Sequence, residues 1–154
     1  MAIHIRLATV SDTDILVHNN AAMSKETENK ELPRHILRDG VTNLFRQPQF
    51  GFYLLAERPD GTVVGQLMIT YEWSDWRNGV FWWIQSVYVD PEFRGMGIYR
   101  KLYQYVLEQA RTKKDVCGIR LYVDKSNRKA MNVYHRCGMN EAHYAMYEVD
   151  FVLG

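Results

Sequence analysis

The run Val87-Tyr88-Val89-Asp90-Pro91-Glu92-Phe93-Arg94-Gly95-Met96-Gly97-Ile98-Tyr99-Arg100-Lys101-Leu102 carries a β-branched and aromatic stretch through a glycine turn straight into a helical pattern. Gly95 and Gly97 admit positive φ and let a ligand come close to the backbone. A helix opening there aims unpaired N–H groups and the positive end of its dipole at an anion, and the expected cargo is a pyrophosphate. A P-loop needs a glycine, four residues, then Gly-Lys-Ser/Thr, and the dinucleotide fingerprint needs a third glycine where Arg100 stands. Neither pattern is met. Two glycines and an arginine also suit a plain helix entry with no ligand, so the neighbouring elements decide.

Upstream, Val80 to Val89 reads as one long strand; downstream, Arg94 to Lys114 has helical periodicity through Leu102, Val106 and Ala110 and ends in basic residues. A strand over Ile119 to Val123 completes a β-α-β unit, whose two neighbouring parallel strands end at the glycine loop. Ligands prefer such carboxyl ends. Further out, Ile3 to Ala8 alternates like a half-buried strand, and Thr9-Val10-Ser11-Asp12 has capping-box form ahead of a helix running to about Ser24. Lys25 to Gln49 reads as a loop and a second helix. Phe50 to Glu57 and Val63 to Trp73 form a hairpin about Arg58-Pro59-Asp60-Gly61, and Asp75 to Gly79 makes the next turn. After a short helix over Asn127 to Arg136, closed by Gly138, a final strand is expected over Ala145 to Val152. This order predicts an α/β chain with a mixed sheet and helices on its faces.

Composition narrows the classes. With 154 residues, 47% hydrophobic and 24% charged, the chain suits one compact domain over 1–154. A formal net charge of +1 gives no footprint for nucleic acid, and no apolar run is long enough to span a bilayer. Neither partner is expected. The start Met1-Ala2-Ile3-His4-Ile5-Arg6 lacks the apolar core of a signal peptide, so the expected compartment is the cytoplasm. Cys117 and Cys137 have neither Cys-x-x-Cys spacing nor a His/Cys cluster, which points to no metal and no disulfide framework. His135 precedes Cys137 too closely along a helix to face it as a base.

A second constellation, Asp124-Lys125-Ser126-Asn127-Arg128-Lys129-Ala130-Met131-Asn132-Val133-Tyr134-His135-Arg136-Cys137-Gly138, places Tyr134 two turns after Asn127, with Ala130 between. With both constellations in order, the chain resembles the GNAT superfamily of N-acetyltransferases. That family carries Arg/Gln-x-x-Gly-x-Gly/Ala after one strand and Asn-x-x-Ala-x-x-x-Tyr-x-x-x-Gly after the next. The second pattern is met at Asn127, Ala130, Tyr134 and Gly138; the first is met at Arg94 and Gly97, with Tyr99 where the family has a small residue. The Tyr99 ring either crowds the pyrophosphate or packs away from it. The resemblance implies a mixed, mostly antiparallel twisted sheet of six to seven strands flanked by four helices, with acetyl-coenzyme A as cofactor and coenzyme A as product. It further implies that Val87, Tyr88 and Val89 offer backbone groups to the pantetheine arm. The turn Arg94, Gly95, Met96, Gly97, Ile98, Tyr99 and Arg100 would hold the pyrophosphate, and Asn127, Ala130 and Tyr134 would complete the cofactor site.

Direct attack by a primary amine needs a neutral amine, a stabilised oxyanion and a proton for the departing thiolate. Tyr134 is the expected proton donor, and a strand amide near Val87 serves the oxyanion. Glu72, Asp75, Glu92, a water on Gln85 and His135 all remain open as the base, with Glu72 preferred. Within the superfamily the Tyr71-Glu72-Trp73-Ser74-Asp75-Trp76 segment is similar to the diamine and thialysine acetyltransferase branch. That likeness implies a small amine acceptor against Trp76, Trp83, Gln85 and Ser86. Gln85-Ser86 stands where the branch carries Glu-Asp, with two charges fewer for a polyamine. Phe81, Trp82, Trp83 and Tyr88 read either as a cage for an ammonium or as core, and Glu26, Glu28 and Glu31 as added attraction or solvent-facing groups. A protein or peptide amine acceptor, or an acyl-coenzyme A sensor with little turnover, is the alternative reading; a homodimer is compatible with the exposed edges and last strand.

Overall fold

A computed structural model describes residues 2–154. Their contacts gather into two units, one reaching Tyr122 and one running Val123–Gly154. In the first unit the strands are β1 His4–Leu7, β2 Gly51–Glu57, β3 Val63–Ser74, β4 Gly79–Val89 and β5 Val116–Arg120, and the helices are α1 Thr13–Glu28, α2 Arg34–Arg46 and α3 Ile98–Arg111. The second unit holds α4 Arg128–Arg136. The sheet order is β1-β2-β3-β4-β5, antiparallel through β4, with β5 parallel to β4. The mixed, mostly antiparallel sheet and the four helices agree with expectation.

Several boundaries differ. Helix α1 continues four residues beyond Ser24, because Lys25 to Glu28 are tolerated in helix and Asn29, at φ 52, supplies the left-handed residue that closes it. Strand β5 starts and ends three residues before the expected Ile119 to Val123 segment. The strand expected over Ala145 to Val152 does not form among the described residues, so the sheet has five strands rather than six to seven. The alternating pattern Tyr147, Val149, Phe151 marks a strand only when a ladder partner and a covered face exist, and Tyr147 and Phe151 are 93% and 94% exposed.

Each sheet face has its own helices. Leu16 and Val17 of α1 and Val41 of α2 pack with Tyr53 and Leu55 of β2, with Met68 of β3 beside them. Helix α3 buries Ile98, Leu102 and Val106 on the opposite face. Gly65 lets it approach, since a Cβ there would stand 2.8 Å from the Ile98 Cγ2. The opening turn of α3 is therefore fixed against β3.

The entry to α1 is clamped electrostatically. The Arg6 fork donates to both Asp12 oxygens at 2.9 Å and to Glu57 at 2.9 Å, while Asp12 accepts the Thr9 N–H at 2.7 Å. Hydrogen bonding from Arg6 holds the Asp12 carboxyl below its ordinary value. A depressed carboxyl stabilises above its unfolded pKa of about 3.9 and loses that contribution as pH falls through its folded value. Asp12→Ala is expected to cost about 1–3 kcal/mol at neutral pH. In urea unfolding the gap from wild type will shrink below about pH 4 as the native carboxylate is protonated.

Candidate functional site

Strand β4 carries a defect in its own ladder with β3. Gln66 pairs with Tyr88 and Met68 with Gln85, so β4 spends one residue more than β3 across this interval. The extra residue falls at Ser86, whose φ of 51 is rare for a side-chain-bearing residue. On its other side β4 pairs with β5 only from Val80 to Trp83, although β4 continues to Val89. The outer backbone edge from Ile84 to Val89 therefore has no ladder partner among the described residues. An extended chain can pair along it as an added strand.

That edge runs into the glycine turn. Asp90 accepts the Glu92 N–H at 2.9 Å and starts a short 3-10 turn, Pro91–Phe93. Gly95 and Gly97 follow at φ 81 and 77, in the left-handed region the sequence predicts. A Cβ on either glycine would meet nothing within 4 Å, so the turn faces open space. The Lys101 N–H donates to the Gly97 carbonyl at 3.1 Å, which sets Gly97 at the N-cap of α3. Glycine turns at a helix start suit an anion. The Tyr99 ring packs edge-on to Tyr103, centroids 6.2 Å apart, and that contact keeps it along α3.

The flanking charges have partners the sequence did not disclose. Arg94 donates from its Nε to the Val89 carbonyl at 2.9 Å and holds Glu26 of α1 in a two-pronged contact, with its guanidinium 5.5 Å from the Tyr88 ring centroid. The Glu26 contact raises the Arg94 pKa further. Glu72 accepts from Arg120 at 2.8 Å, and that guanidinium stacks 3.7 Å over Phe81, which also carries Arg77 at 4.9 Å. Trp83 meets Tyr122 at 5.9 Å, and Gln85 donates to the Thr70 hydroxyl at 2.6 Å. Trp83, Gln85 and Ser86 thus lie together on β4 near its bulge. Trp76, 86% exposed, sits in the β3–β4 turn at the other end of the hairpin.

In the second unit Asn127 caps α4, its side chain accepting the Ala130 N–H at 3.1 Å. The spacing that reads as a motif is therefore also a helix start. Tyr134 is half-buried, and burial raises its phenol, with Cys137 adding to the shift. Gly138 at φ 89 closes the helix. Cys117 and Cys137 are free, half-buried thiols.

The sequence matches the Acetyltransferase (GNAT) family over residues 16–139. A thialysine N-epsilon-acetyltransferase of Bos taurus is 31% identical over 134 residues, covering 82% of this chain and 75% of its own. The chain belongs to the GNAT family. Among solved structures, one described as a possible acetyltransferase from Clostridium difficile 630 is 43% identical, with a TM-score of 0.90 and 99% of both chains covered. A protein described as a predicted acetyltransferase with acetyl-coenzyme A, from Clostridium acetobutylicum, shares the fold at 18% identity, with a TM-score of 0.76 and 98% and 97% of the two chains covered.

GNAT enzymes are acetyl-coenzyme A-dependent acetyltransferases, and the first unit suits that cofactor in its own terms. An exposed glycine turn at a helix start suits a pyrophosphate, and a strand edge with no ladder partner among the described residues suits an amide-bearing arm. Sequence reasoning missed the pairing of Glu26 with Arg94 and of Arg120 with Glu72. Both join residues far apart in the chain, and no local spacing signals them. A cavity of about 660 Å³ lined by Phe52, Tyr71, Trp82 and Tyr105 lies near the amino ends of β4 and β5, away from the glycine turn.

Proposed function

We propose that this GNAT enzyme acetylates the primary amine of a small molecule by direct attack within a ternary complex. The observation that carries the reading is the bulged end of β4, whose outer edge has no ladder partner among the described residues, running directly into the open glycine turn. The Bos taurus relative acts on thialysine by its name, which supports an amino-acid-like amine as acceptor. Trp83, Gln85 and Ser86 are the proposed acceptor-facing residues of β4, and Trp76 a peripheral one.

Acetyl-coenzyme A supplies the acetyl thioester and departs as the thiol. The amides from Gly95 to Arg100 and the Arg94 guanidinium bind the diphosphate, while Val87, Tyr88 and Val89 orient the arm by strand pairing. The backbone near Val87 donates to the reacting carbonyl oxygen. The family pattern supports Asn127 and Ala130 as contacts to the arm and the Tyr134 hydroxyl as the source of the proton that the sulfur takes. Its raised pKa keeps that proton in place at neutral pH. Glu72 is the proposed proton acceptor, acting after release from Arg120 or through water. The two units act as one domain over 1–154, a reading supported by the family match that spans both. A homodimer is proposed on the outer edge of β5 and the exposed apolar C-terminal run; a cytoplasmic setting, on the free thiols.

Release of coenzyme A thiol across a panel of diamines, thialysine, amino acids, aminoglycosides and lysine peptides tests the acceptor. One strong small amine is the expected result; activity confined to peptides would reverse the reading. Packing of Tyr99 on Tyr103 supports the enzyme reading over the sensor one, since it holds the ring along α3. Freeing Arg94 by Glu26→Gln is expected to tighten coenzyme A binding about two- to sixfold at low salt, measured by calorimetry.

A further inference from the structure

Strand β3 carries one amide among apolar residues, in Val63-Val64-Gly65-Gln66-Leu67-Met68-Ile69, and that residue is fully buried at 0% exposure. Alternation puts Gln66 on the face of Met68, the face covered by Leu16 and Val17 of α1. Its Nε2 donates to the Ser86 carbonyl at 3.1 Å. Only a donor satisfies a carbonyl, so the orientation of the amide is dictated by this contact. Its Oε1 accepts from none of the described residues. The polar function of this side chain is thus spent on one bond, and that bond lands on the residue at φ 51 where β4 bulges.

We propose that Gln66 is a positioning residue for acetyl transfer. It draws the Ser86 carbonyl inward and holds the left-handed backbone that a serine would otherwise leave. The peptide groups from Ser86 to Val89 then stay turned along the open edge of β4, where the reacting carbonyl has to find its donor. Without the clamp, Ser86 relaxes toward ordinary extended φ, the pairing of Met68 with Gln85 slips, and the edge is misaligned. Gln66 touches no reacting atom and acts through Ser86. The inference rests on the acetyl-coenzyme A reading of this edge.

The test introduces Gln66→Met, an apolar side chain of similar length, into wild type and, separately, into a Ser86→Gly background. In wild type Gln66→Met is expected to lower kcat about 10- to 100-fold while coenzyme A affinity stays within about threefold. Measured against Ser86→Gly alone, the same substitution is expected to cost less than about threefold, because glycine takes positive φ unaided and needs no clamp. Wild-type kcat in folded Gln66→Met, or an equal loss in both backgrounds, overturns the proposal. Should Gln66→Met not fold, Gln66→Glu gives the answer as a pH profile. Its carboxyl donates to the carbonyl only when protonated, so its activity relative to wild type must rise as pH falls, and a flat ratio overturns the proposal. Failure of the wild-type enzyme to release thiol with any amine would instead remove the underlying reading.

Discussion

Tyr134→Phe will lower kcat by about 100-fold or more while acetyl-coenzyme A binds as before, since a positioned general acid contributes about 10²–10⁴-fold. The substitution removes one oxygen and keeps the ring, so the half-buried packing of α4 is retained and the loss reads as chemistry. Burial raises the phenol, so it stays protonated through the neutral range, as a donor requires. An amine that loses its own proton before attack has no use for this phenol, so the effect must appear in thiol release. Stopped-flow thiol detection beside calorimetry of coenzyme A binding separates the two. Equal losses in both would return Tyr134 to a packing role, and unchanged turnover would remove it from the mechanism.

Gly97→Ala is the second large effect, expected to weaken acetyl-coenzyme A by about 10-fold or more, with a stability cost of about 1–2 kcal/mol from holding an L-residue at positive φ. Gly97 stands at φ 77, and a Cβ there would meet no protein atom within 4 Å. The methyl group therefore projects into the space that the diphosphate is proposed to fill. S-acetylpantetheine, which lacks the diphosphate, serves as the control, with its weaker use by the enzyme left unchanged by the substitution. If both substrates suffer equally, the turn is a structural hinge and not an anion site. Thermal unfolding of the apo-protein checks the stability cost separately.

The local features of this fold are legible in the sequence because local chemistry creates them. Pro59-Asp60-Gly61 makes its turn, Gly95 and Gly97 take positive φ, and Asn127 caps α4 where the spacing predicts. Legibility fails where the deciding partner is remote. Tyr147, Val149 and Phe151 alternate as a strand does, yet no ladder receives them among the described residues. Arg94 meets a glutamate 68 positions away and Glu72 an arginine 48 positions away, distances at which a sequence shows only two unrelated charges. The bulge at Ser86 is the hardest case. Serine carries no preference for positive φ, and the only trace of the device is a glutamine in an apolar strand twenty positions earlier.

The fork between Glu26 and Arg94 has a thermodynamic consequence. A carboxylate tethered by α1 competes for the guanidinium at an effective concentration set by the fold and independent of protein dilution. If Arg94 binds the diphosphate as proposed, only the fraction of molecules with the fork open presents it, and the apparent dissociation constant exceeds the intrinsic one by the reciprocal of that fraction. Salt weakens the internal rival and the incoming polyanion together. The ionic-strength dependence of cofactor binding should therefore be shallower than the number of cations around the turn implies.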